Sequence, residues 1–177
     1  MATLKSIEKR ASLIIEEYNG KQSRIDVEKI ARNMGLKIIV DDLGKNVTGV
    51  LFIKNGQGVI GYNPDENTSN VRKRFTIAHE LGHYILHRLD NNIFVDKKEF
   101  KAVFRRDHNS TTGEHKQERE ANAFAAALLM PEHLLIKEIN KKSFDLGGDN
   151  DIINTLASKF EVSTQAMAYR IANLNLF

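Results

Sequence analysis

Two histidines four residues apart, with a glutamate directly after the first, lie in the longest helix-like apolar pattern of this chain: His79-Glu80-Leu81-Gly82-His83. On a helix that spacing puts both imidazoles on one face, one turn apart, where they can reach a single metal ion. The glutamate between them can take a proton from a metal-activated water, so the pattern fits a zinc-dependent hydrolase, most often a peptidase. Phe75, Ala78, Leu81, Ile85 and Leu89 form an apolar stripe beside the His79/His83 line. The histidines therefore lie at the edge of a buried face rather than on a solvated one. Gly82 costs about 1 kcal/mol relative to Ala in a helix interior, and a glycine there usually lets another element approach closely.

Two histidines do not complete a catalytic zinc site, which normally has three protein ligands and one open position. His87 continues the series, but it lies about 12 Å along the helix axis from His79 and cannot share the same ion. It is expected to be a helix-end histidine, near the negative end of the dipole. His108 and His115 lie in a polar segment and are possible donors. A stronger candidate is the Ala-rich helix pattern Gln117–Met130, ended by Pro131, whose small side chains permit close packing against Gly82. Glu118 and Asn122 share one face of it. A carboxylate ligand followed one turn later by a polar residue that orients a ligating histidine is a known arrangement. Glu120 is the competing third ligand, pointing roughly 200° away from Glu118 around the helix. Both glutamates could instead be solvated charges favouring the dipole at a helix start.

The 177 residues suffice for one domain, or one domain with a small appendage, and a hydrophobic content of 41% is enough for a core. There is no Cys, so any metal must be held by His and carboxylate, and cytoplasmic location is the natural expectation. The charged, amphipathic N-terminus does not read as a signal peptide, and no apolar run approaches the ~20 residues needed to span a membrane. A pI of 9.0 invites a nucleic-acid reading, but the net charge is only +3 and no dense basic stripe supports it.

Residues 4–19 and 25–34 read as helices, the second stopped by Gly35, and residues 36–40 as a short strand. Residues 47–53 and 58–62 read as a hairpin around Asn55-Gly56. Residues 69–88 form the histidine helix, and 90–116 read as a polar, irregular segment, either a lid or a spacer. After the Glu118 helix come a Pro131-started helix to about residue 141, a Gly147-Gly148 break and two short C-terminal helices. The expected fold is α+β: a zincin-like core at 1–145, with a small, mostly antiparallel sheet packed on the histidine helix. A helix-turn-helix-like pair at 146–177 is expected to pack on it as an appendage. An exposed edge strand would align a substrate backbone by strand addition, and the 47–62 hairpin is the expected source.

Arg74–His87 (R-F-T-I-A-H-E-L-G-H-Y-I-L-H) and Glu118–Pro131 (E-R-E-A-N-A-F-A-A-A-L-L-M-P) resemble the ImmA/IrrE family of metallopeptidase-like proteins. The tail Phe160–Arg170 (F-E-V-S-T-Q-A-M-A-Y-R) matches the family's F-x-V-S-x-x-A-M-x-x-R habit, so the resemblance covers nearly the whole chain. It implies that His79, His83 and Glu118 are metal ligands and Glu80 the catalytic base. It also implies a protein target such as a helix-turn-helix repressor of a phage or mobile element.

Zn2+ is the expected cofactor, with Mn2+ as an alternative divalent ion. Tyr84, Arg105, His108 and His115 are available to stabilise an oxyanion. The C-terminal pair has the core pattern of a helix-turn-helix, but residues 149–177 carry Lys159 and Arg170 against Asp149, Asp151 and Glu161, so DNA binding is disfavoured. Three function classes follow: a metallopeptidase that cuts a specific protein, a non-proteolytic metal-binding regulator or toxin-antitoxin-type partner, and a DNA-binding regulator. An intact Glu80 favours the first over the second, because a purely structural metal site has no need of a base.

Overall fold

In the computed structural model, which describes residues 3–19, 24–64, 69–90, 92–97, 113–141 and 149–176, the amphipathic N-terminal helix packs against the helix at Gly113–Leu129. Helix α1 (Leu4–Ile14) starts at Thr3, whose side chain accepts from the Ser6 N–H, and runs on through one wide π-helical turn at Ile15–Asn19. Ile7, Ala11, Ile14 and Ile15 are buried on its inner side. Helix α2 (Val27–Asn33) is capped by Asp26 and ends before Gly35.

Strands β1 (Lys37–Val40), β2 (Val47–Lys54), β3 (Gln57–Tyr62) and β4 (Ile93–Lys97) form one sheet in the order β1-β3-β2-β4. The β2–β3 hairpin is closed by Asn55 and Gly56 at φ 53° and 77°, the paired left-handed conformation of a two-residue turn whose twist matches the strands. β4 pairs antiparallel with β2, whereas β1 pairs parallel with β3, so the sheet is mixed.

The hairpin was the expected edge, but it occupies the middle of the sheet, and β1 and β4 take the two edges. β4 itself lies inside the segment that read as irregular. Its inward residues are Phe94 and Asp96 and its outward ones Ile93 and Val95. Five residues with one apolar and one acidic side chain facing inward carry too little alternation to mark a strand; pairing to β2 orders them. The ladder skips at Thr48, with Val47 opposite Lys97 and Gly49 opposite Asp96. This bulge turns Thr48 towards Asp96, and its hydroxyl donates to the Asp96 carboxylate.

Helix α3 (Asn70–His87) is N-capped by Ser69 and packs Ile77, Ala78 and Leu81, all fully buried, between the sheet and the helices. Its C-terminus is His87, so Leu89 falls beyond the helix and is 94% exposed rather than part of the stripe. Helix α4 (Gly113–Leu129) crosses α3 at Gly82. A Cβ there would stand 3.0 Å from the Ala121 carbonyl oxygen and 3.1 Å from its Cα, so the glycine sets the closeness of the crossing. α4 begins within the stretch expected to be irregular. Phe100, Phe104, Arg105 and His108 lie outside the described residues.

Pro131 leads into α5 (Glu132–Ile139), and α6 (Asp149–Phe160) and α7 (Thr164–Leu174) close the chain. Leu156, Phe160, Val162, Met167 and Ile171 join the same buried cluster as Ile7, Leu81 and Leu128. Arg170, 5% exposed, donates from Nε to the Met130 carbonyl at 3.0 Å and pairs with Glu8 of α1. Lys159 pairs with Glu138. Both basic side chains of α6 and α7 are thus paired with acidic groups of the protein, Arg170 buried and Lys159 at the surface. Among the described residues there are seven α-helices and one mixed sheet, an α+β fold. No helix among them is long and apolar enough to cross a membrane.

Candidate metal centre and catalytic base

The stripe that buries α3 against the sheet carries His79 and His83 into the crevice between α3 and α4, each 1% exposed. Their Nε2 atoms lie 3.1 Å apart. Glu118 reaches in from α4, 3.3 Å from His79 Nε2 and 3.1 Å from His83 Nε2. A tetrahedron with metal–ligand bonds of about 2.05 Å has edges of about 3.3 Å, so these separations fit three ligands of one zinc ion.

The protonation pattern fits as well. Asn122, one turn after Glu118, places its amide oxygen 3.2 Å from His79 Nδ1. An oxygen acceptor requires a proton on Nδ1, so Nε2 is the nitrogen left for a metal ion; in its absence a proton on Nε2 is donated to Glu118. Two imidazoles and a carboxylate, with no thiolate, form a donor set suited to Zn2+.

Electrostatics point the same way. Burial opposes charge on His79, but the Glu118 hydrogen bond and the charges of Glu80, Asp96 and Glu118 outweigh it and raise its pKa. For His83, burial dominates and its pKa falls, helped by neighbouring His79 and His87 against the pull of Glu118. Glu118 is partly desolvated, yet the hydrogen bonds from both histidines bring it down to about 2, so its carboxylate stays ionised. The site is therefore built for positive charge at the point where the three side chains meet.

Glu80 is fully buried beside His79. It rests against the backbone of β2: a Cβ on Gly49 would come within 2.7 Å of Glu80 Oε1 and 2.5 Å of Thr76 Cγ2. The carboxylate of Asp96 also lies here, with donor atoms of His79, Glu80 and Asp96 all within 4.8 Å of one another. Phe94 stacks on the His83 ring, centroids 4.6 Å apart and planes 23° apart. β4 therefore walls the site. Thr48 and Thr76 also line an open pocket of about 290 Å3 together with Lys45, Tyr62 and Arg72, beside the site but not lined by its histidines or glutamates.

The model of the IrrE N-terminal-like domain, a peptidase family, matches residues 31–172. The chain belongs to the ImmA/IrrE family. The matched stretch begins in α2 and ends near the close of α7, so it takes in the whole sheet, the α3–α4 crevice and the C-terminal helices. Membership makes this a metallopeptidase-like protein. No curated protein matches the chain.

Of the residues singled out from sequence, His79, His83 and Glu118 meet in this crevice, Glu80 lies beside His79 on the side facing β2, and Asn122 contacts His79 Nδ1. Glu120, the competing third ligand, instead places Oε2 2.9 Å from His87 Nε2. Tyr84 turns away from the crevice, against Gly58 of β3 and beneath the Arg88 guanidinium. His115 lies half-buried on α4, and Arg105 and His108 fall outside the described residues. Asp96, Thr48, Phe94 and Gly49 were not foreseen. Thr48 and Gly49 lie in a strand that was readable and Phe94 and Asp96 in one that was not, and the importance of all four comes from the pairing of β4 with β2.

Proposed function

We propose that this family member is a zinc-dependent metallopeptidase acting in the cytoplasm on a specific protein. Its target would be a helix-turn-helix repressor of a phage or mobile element, so that cleavage switches transcription. In this reading residues 1–145 form a zincin-like core and 146–177 a helical pair packed on it. His79, His83 and Glu118 hold the ion. Bound zinc would act as a Lewis acid, acidifying a water and polarising the scissile carbonyl.

Glu80 supplies the proton chemistry. Its carboxylate accepts the proton of the attacking water and returns it to the leaving amine. Gly49 and Thr76 fix its position and Phe94 screens the site from solvent. Among the described residues β4 has no strand on its outer side, and that edge, rather than the hairpin, suits strand addition by an extended substrate backbone. One observation carries the reading: a fully buried carboxylate, packed against backbone that admits no larger residue, stands beside a convergent two-histidine, one-carboxylate donor set. A metal site that only stabilised the fold would gain nothing from that carboxylate.

The test compares wild type with Glu80→Ala on the same preparation, measuring zinc content and cleavage of the repressor encoded nearest to the gene. About one zinc per chain in both proteins, with cleavage only in wild type, is the expected result. Full cleavage by Glu80→Ala would overturn the mechanism. Zinc without cleavage in wild type, against a panel of such repressors, would favour a non-proteolytic regulator.

A further inference from the structure

We propose that His87 and Glu120 form a positioning relay that fixes the tautomer and ring orientation of His83, separately from Asn122, which holds His79. The proposal rests on the metal-binding reading of the site. His79, His83 and His87 recur at successive turns of α3. The third lies too far along the axis to share an ion with the first, yet its Nδ1 is 3.3 Å from His83 Nδ1. Its other nitrogen, Nε2, is 2.9 Å from Glu120 Oε2.

These contacts allow one consistent proton order for a metal-ready site. A carboxylate oxygen only accepts, so His87 Nε2 carries a proton. Neutral His87 then presents a bare Nδ1 lone pair. His83 must donate to it from Nδ1–H, which leaves His83 Nε2 bare and directed at the meeting point with His79 and Glu118.

Glu120 anchors the correct order from α4, the helix that also supplies Glu118 and Asn122. Two residues apart, the two glutamates thus serve the two ends of one system. Burial protects the relay: His87 is 3% exposed, and the Phe94 ring lies 4.6 Å from that of His83 and 6.3 Å from that of His87.

The experiment uses the full chain with Zn2+, titrated against a chromophoric chelator. His87→Ala and Glu120→Leu should each weaken zinc binding about 10- to 100-fold, the usual cost of losing an orienting partner. The double variant should be no worse than either single one, because both break one relay. His87→Ala combined with Asn122→Ala should lose the sum of the two effects, because those partners serve different ligands. Glu120→Gln keeps an oxygen acceptor and should recover to within about threefold of wild type.

Nitrogen-15 spectra of the zinc-loaded wild type should show His83 protonated on Nδ1 and His87 on Nε2, a pattern that a merely structural contact would not enforce. Zinc affinity unchanged in both single variants, or the opposite tautomers, would overturn the relay while leaving the metal site standing. Failure of wild type to bind zinc would overturn the metal reading and the relay with it.

Discussion

Gly49 shows how tightly single residues are specified around Glu80. A methyl group at this position would stand 2.5 Å from Thr76 Cγ2 and 2.7 Å from Glu80 Oε1, closer than real contacts allow. Gly49→Ala should therefore push the Glu80 carboxylate out of place and cost about 1–3 kcal/mol of stability through overpacking. Cleavage should fall at least tenfold while zinc content stays at one per chain, and paired denaturant melts and activity assays would check both halves. The protonation of His79 and Glu118 makes a second prediction at this scale. Glu118 is depressed to about 2 from 4.5, so its contribution to the metal-free fold is present above pH 4.5 and lost as pH falls towards 2. His79 is raised above 6.5, so its contribution is full below pH 6.5 and lost as pH rises through its raised value. Together they stabilise the chelator-treated chain most between about pH 4.5 and 6.5. Added zinc competes with the proton, so the rise in melting temperature on adding zinc should be larger at pH 8 than at pH 6. An equal rise at both would contradict this coupling. His79, Glu80 and His83 were legible from sequence because they share one helix and one repeat. Glu118 was favoured over Glu120 by its spacing to Asn122 and by the family resemblance, but periodicity alone left both open, since the choice depends on the rotation of α4 against α3.

Packing between elements decides that rotation, and Gly82 is its pivot. Gly82→Ala would gain about 1 kcal/mol of helix propensity in isolation. Here the new methyl meets Ala121 backbone atoms at 3.0 and 3.1 Å and Phe124 at 3.2 Å, and backbone cannot swing aside. α4 must move outward, and the overpacking cost of about 1–3 kcal/mol should cancel or exceed the propensity gain. The same movement draws Glu118 and Asn122 away from the histidines. Weaker zinc binding with little or no gain in metal-free stability is the expected outcome, read by chelator competition and thermal melts. Tighter packing with unchanged zinc affinity would show that the crossing tolerates a methyl. Among the elements, α3 and the β2–β3 hairpin were readable because each carries its own signal, an apolar stripe in one and Asn55-Gly56 in the other. β4 carries none: Phe94 and Asp96 gain meaning only opposite Leu51 and Gly49. The expectation that the hairpin forms the sheet edge failed for the same reason, because an edge is defined by which other strand arrives.

Across the whole molecule, the C-terminal helices are tied to the first helix and to the end of the helix bearing Glu118. Arg170 of α7 is the knot: it donates to the Met130 carbonyl just beyond α4 and pairs with Glu8 of α1. Around it Leu156, Met167 and Ile171 fill the cluster that also contains Ile7 and Leu128. A reader of DNA needs its basic side chains turned outward to phosphates, whereas Arg170 and Lys159 are committed to Glu8 and Glu138. Arg170→Ala would leave the buried Met130 carbonyl without that donor and Glu8 without its cation. Because Glu8 is 30% exposed, water can compensate part of the loss, and a destabilisation of about 2–4 kcal/mol is expected rather than the full cost of a broken buried pair. If residues 146–177 fold only as part of the common core, urea unfolding followed by circular dichroism and by zinc release should move together to lower midpoints in a single transition. If they form an independent unit, the variant should instead show an early transition confined to helix content, with zinc still bound. The shared cluster and the Arg170 ties favour the single transition, and with it a metal site whose integrity depends on helices remote from the metal.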